Sequence, residues 1–131
     1  MSDRPLILAV DRNVRNLELL AQFLGREGHT TLTAANLEDF DRLLVEYEIA
    51  LALVDVAGFE RDIWERCARL QAAQIPFLVV CNQQSAVLRQ GGILSGARAV
   101  LVKPLVVQEL LELIRGLLAD WTPTERMKDE G

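Results

Sequence analysis

Histidine and tyrosine appear once each in this chain of 131 residues, and cysteine and tryptophan twice each. The one histidine, His29, reads as an exposed turn residue, and no site for histidine-based catalysis or phosphoryl donation is visible. Cys67 and Cys81 lack metal-site spacing and are too few for a disulfide scaffold, which suits a reducing compartment. Basic residues are outnumbered, 14 against 19 acidic, giving a net charge of −5. That weighs against direct binding of nucleic acid, whose phosphates call for a basic face. No apolar run nears the ~18 residues of a membrane span. The first residues, MSDRP, do not form a secretory signal. Neither G-x-G-x-x-G nor G-x-x-x-x-G-K-[ST] occurs, so dinucleotide and P-loop phosphate cradles are unsupported. There is no elbow motif for serine chemistry, no repeat and no low-complexity block. A cytoplasmic protein without membrane contact is the expectation.

What the chain does have is apolar strings alternating with helix-like stretches. Strands are predicted at about Leu6–Val10, Thr30–Ala34, Ile49–Val54, Phe77–Cys81 and Ala99–Val102. The third and fourth show no polar alternation, as in parallel sheets covered on both faces. The threonine-rich second strand suits an edge. Helices are predicted over Val14–Arg26, from an Asn36 cap through Phe40, Leu43 and Leu44, and over Asp62–Ala73. Two more are predicted, from a Ser85 cap through Leu94 and over Val106–Asp120. Gly28 falls where the first helix would leave through a left-handed turn. Gly91 and Gly92 make the fourth helix the weakest, at about 1 kcal/mol each relative to alanine. The last helix carries an inner stripe of Val107, Leu110, Leu111, Ile114, Leu117, Leu118 and Trp121. The expected fold is α/β: a doubly wound, five-stranded parallel sheet with five helices in three layers. Residues 1–121 would form the domain and 122–131 a flexible tail.

Three strands end in a charged residue. The first runs into Asp11, the third into Asp55, and the fifth into Lys103-Pro104. Carboxyl ends of parallel strands share one rim, where such sheets bind ligands. Two carboxylates and an ammonium would meet there, a layout suited to attaching a phosphoryl group to an aspartate.

With these residues in this order, the chain resembles the receiver domains of two-component response regulators. The anchors are ILAVDRN, ALVDV, PFLVVCN and GARAVLVKPL. The resemblance implies a flavodoxin-like sheet of order 2-1-3-4-5. It implies that Asp55 accepts phosphate from a sensor histidine kinase or a small phosphodonor. Lys103 would contact a phosphate oxygen, and Lys103-Pro104 is a candidate cis peptide. A magnesium ion would be held by Asp11, Asp55 and the backbone carbonyl of Ala57. Output would be altered protein association through the face of the fourth helix, fifth strand and last helix, a second copy of the chain being one partner. Beyond self-phosphorylation and self-dephosphorylation, no enzymatic activity is expected. No output domain follows residue 121, so the chain either works alone or belongs to a longer one.

Several positions depart from the family pattern. Where a second acid usually follows Asp11 stands Arg12, so the pocket loses a metal ligand and gains a cation. Asp11, Asp55 and Arg12 already come to −1 without a metal, and magnesium affinity is expected to be weak or absent. Arg12 either folds over Asp55 in place of the ion or points to solvent. Cys81 replaces the hydroxyl that grips phosphate, and Val100 replaces the switching aromatic. Alternative readings stand beside the first. One is an interaction module independent of phosphorylation, locked by Arg12. Another makes Cys81 a redox switch, though a cysteine ending a buried strand more often packs as a small hydrophobe.

Overall fold

The computed structural model describes residues 4–82, 90–91 and 95–122. Five parallel strands lie in the order β2-β1-β3-β4-β5, as expected. They are β1 (Leu6–Val10), β2 (Thr30–Ala34), β3 (Ile49–Asp55), β4 (Phe77–Cys81) and β5 (Ala99–Val102). The helices among the described residues are α1 (Val14–Arg26), α2 (Leu37–Glu46), α3 (Asp62–Ala72) and α4 (Val107–Ala119). That is four helices, not the five expected. Most of the expected Ser85–Leu94 helix lies outside the described residues; Gln90 and Gly91 are helical. Residues 123–131 of the expected tail lie outside them too.

Side chains alternate along a strand, so each strand feeds two cores. Leu8, Val10, Ala52, Val54, Phe77 and Val79 face one side, packed against α2 through Phe40 and Leu43 and against α3 through Ile63, Cys67 and Leu70. Ile7, Leu51, Leu53 and Leu78 face the other, against Leu24 of α1 and Leu110, Leu111 and Ile114 of α4. Every residue of β3 and β4 is buried. This is why neither strand alternates in sequence. β2 lies at the edge, consistent with its threonines.

Helix ends follow their sequence signals. Asn36 Oδ1 accepts from the Asp39 amide at 2.7 Å. Gly28 takes φ +90 after α1, where a Cβ would be strained. The stripe of α4 is narrower than expected. Val107 is 51% exposed and stands outside the core that Leu110, Leu111 and Ile114 form. A side-chain clamp ties α2 to α3: Asp41 accepts from Arg66 Nε at 3.1 Å and Nη2 at 2.8 Å, and from Arg69 Nη1 at 3.2 Å. No helix among the described residues is long and apolar enough to cross a membrane.

Replacing Asn36 by alanine removes one cap acceptor and should cost about 1 kcal/mol. A lower urea midpoint with unchanged slope would register that loss.

Candidate functional site

The strand register brings the three charged residues to one rim. Val10 pairs with Val54, so Asp11 and Asp55 follow at the same level on neighbouring strands. Asp55 pairs with Val80, and Cys81 with Val102, so Lys103 begins one step beyond. Alternation then selects the face. Asp55 follows Leu51 and Leu53, and Lys103 follows Ala99 and Leu101, all toward α1 and α4. Asp11, Asp55 and Lys103 line one cleft of about 780 Å³ between those helices. Its apolar wall includes Leu17, Leu20, Leu53 and Leu110.

Asp55 is 6% exposed and the one buried charged residue among those described. A buried carboxylate must be paired and hydrogen-bonded. Lys103 Nζ stands 2.6 Å from Oδ2, and the Ala57 amide donates to Oδ1 at 3.0 Å. The Lys103-Pro104 peptide is cis. Asp11 is half-buried; its Oδ1 accepts from the Asn13 amide at 2.8 Å and its Oδ2 from Asn16 Nδ2 at 3.4 Å. Burial foremost, and the nearby Asp55 charge, push the Asp11 carboxyl above its ordinary value; the Asn13 and Asn16 hydrogen bonds and Lys103 pull the other way.

The resemblance assigns a hard cation to the Asp11 and Asp55 carboxylates and the Ala57 carbonyl, and both carboxylates line the cleft. Among the described residues there is no metal-binding group of three or more His, Cys, Asp or Glu. Asp11 sits in a field that a cation would relieve, and two carboxylates suffice when phosphate and water complete the shell. The residues therefore fit a magnesium ion that brings most of its own ligands.

Arg12 does not fold over Asp55. Its guanidinium lies over the Phe59 ring, 5.6 Å from the centroid, an arrangement worth about 0.5–1 kcal/mol at an exposed site. Its stem crosses Gly58 (φ +85), where a Cβ would stand 3.3 Å from Arg12 Cγ. The cation beside Asp55 is Lys103, so the expected stand-in for the metal is corrected. Cys81 packs as a small hydrophobe, the commoner of the readings given for it, and is not among the residues lining the cleft. It follows Phe77 and Val79 into the core against α2 and α3, fully buried, on the face opposite Asp55. Its neighbours Val80 and Asn82 line the cleft instead. At the other cysteine, burial pushes the Cys67 thiol up to about 12, which makes it a poor nucleophile. Sequence reasoning missed Asn16, Asn82 and Phe59. Asn13 capping Asn16 at 3.0 Å was a readable signal for the first; the other two depend on loop shape.

A carboxyl raised by folding binds its proton more tightly in the native state, so stability falls as pH rises through the folded value, and the cost persists at neutrality. Asp11→Asn keeps the acceptor for Asn13 and removes that cost. Its melting temperature should exceed wild type at pH ~7, and the gap should close as pH drops below the ordinary carboxylate range. Gly58→Ala should destabilise by roughly 1–2 kcal/mol, since a side chain at positive φ is strained. Chemical denaturation would measure it.

No family profile matches the sequence. Over 113 residues the chain is 30% identical to the transcriptional regulatory protein HprR of Escherichia coli, covering 86% of this chain and 51% of that protein. Over 128 residues it is 33% identical to the response regulator MprA of Mycobacterium bovis, covering 95% of this chain and 54% of the relative. The chain thus spans about half the length of these curated relatives. Among solved structures, a response regulator receiver protein from Pseudomonas putida superposes with a TM-score of 0.79 at 25% identity, covering 88% of this chain and 99% of that one. A CheY-like receiver domain from Methanospirillum hungatei gives 0.78 at 23% identity, covering 98% and 99%, and supports the fold. Sequence and structural likeness converge on the same architecture, and the chain is a receiver domain of the two-component response regulators.

Proposed function

We propose that Asp55 is a phosphoacceptor and that the domain works in a phosphorelay fed by a sensor histidine kinase or a small phosphodonor. The observation that carries this is the buried Asp55 carboxylate with Lys103 Nζ at 2.6 Å. An oxygen of Asp55 attacks phosphorus, a new P–O bond forms, and the donor's bond to phosphorus breaks as the leaving group takes its electron pair. Catalysis of such transfers is largely positioning and charge neutralisation. The Ala57 amide fixes the carboxylate through Oδ1. Lys103 turns from Oδ2 to a phosphoryl oxygen as charge moves outward. Asp11, Asp55 and the Ala57 carbonyl would hold magnesium, which when bound supplies further neutralisation. The cleft's aliphatic wall limits water near the product, whose hydrolysis returns the resting state.

Output is proposed to run through association at β5 and α4, where Val106 and Val107 are more than half exposed. Most of the helix expected to complete that face lies outside the described residues. A second reading, an interaction module independent of phosphorylation, has one feature in its favour: neither Cys81 nor Val100 offers the hydroxyl or the aromatic that would sense phosphate.

Acetyl phosphate with magnesium, followed by intact mass measurement, separates the two. Phosphoacceptance predicts an adduct of about 80 Da that Asp55→Asn abolishes. A wild-type mass that stays unchanged supports the interaction module.

A further inference from the structure

Arg12 has a charge that the reaction above does not use. The residue is exposed, and among the described residues no ion pair engages it. Its guanidinium rests on Phe59. Arg12 follows directly on Asp11, which lines the same cleft as Asp55 and Lys103. Phe59 lies on the loop that leaves Asp55, and it packs against the core on the α2–α3 side. The loops on either side of the acceptor are thus joined by one contact between a cation and a ring, drawn close by the missing Cβ at Gly58.

We propose that Arg12 is a phosphate-binding residue and that its contact with Phe59 is the switch of this domain. The proposal rests on Asp55 being the phosphoacceptor. With Asp55 unmodified, Asp11 and Asp55 against Lys103 leave the crevice with one excess negative charge. Phosphorylation adds further negative charge and three acceptor oxygens. Lys103 alone does not neutralise that charge. A charge-assisted, two-pronged arginine–phosphate contact is stronger than an exposed guanidinium on a ring. Arg12 therefore exchanges Phe59 for the phosphoryl oxygens. Phe59, half-buried and relieved of its partner, settles differently on the core, and residues 56–61 carry the change outward. The device supplies what Cys81 and Val100 do not: a group that feels the phosphate and a ring that moves in response.

The test uses nitrogen-15-labelled protein with acetyl phosphate and magnesium, comparing wild type, Arg12→Gln and Phe59→Leu. Arg12 is exposed and Phe59→Leu keeps an apolar side chain, so both variants should fold. In wild type, the Arg12 side-chain Nε resonance and the 56–61 amides should shift together as the adduct accumulates. In Arg12→Gln the steady-state phosphorylated fraction should fall several-fold, and the remaining adduct should leave the 56–61 amides unmoved. Phe59→Leu should still phosphorylate, with the Arg12 shift retained and the loop response lost. An adduct in wild type with Arg12 Nε unchanged, or an intact loop response in Arg12→Gln, overturns the switch while leaving phosphoacceptance standing. No adduct in wild type overturns both.

Discussion

A single carboxylate is buried at the apolar end of the central strand. The six residues of β3 before Asp55 are apolar and buried, so the strand supplies nothing to solvate that charge. An isolated ion there would be expensive. Two groups offset the cost, the Lys103 ammonium and the Ala57 amide. The amide is local, two residues on, but Lys103 is near Asp55 only because the sheet has this order, delivered by β5 across the full width of β4. The charge therefore constrains the topology as much as the topology positions the charge. An antiparallel β5 or a slipped register would leave Asp55 unpaired.

Much of this was legible before any coordinates. Strands buried on both faces are continuous aliphatic strings, and helices between them carry one apolar stripe, so the two patterns are hard to confuse. Asp11, Asp55 and Lys103 each stand directly after such a string. What escaped depends on distances between segments. Whether Cys81 faces the cleft or the opposite core is set by the register of β4 against β3. A one-residue change would reverse it, and nothing local to PFLVVCN reports that register. Where Arg12 rests depends on Phe59 and on the positive φ of Gly58, both on another loop. Val107 belongs to the apolar stripe by periodicity, yet helical phase alone does not say which residues of the stripe are covered.

Asp55, the Lys103 ammonium and the cleft are what the proposed phosphoacceptance needs, and the fold delivers them at the rim where open parallel sheets bind ligands. Beside them stand Arg12 directly after Asp11, the Cys81 thiol packed in the core, and the aliphatic Val100 on β5. The loops after β1 and β3 hold Arg12 and Phe59, the groups to which the proposed switch assigns the response at Asp55.

The clamp of Asp41 with Arg66 and Arg69 gives this arrangement a direction. It fastens α3 to α2 immediately downstream of the loop bearing Phe59. Under the proposed switch, displacement arising at residues 56–61 would meet a helix tied to its neighbour, which favours movement of the loop over movement of α3.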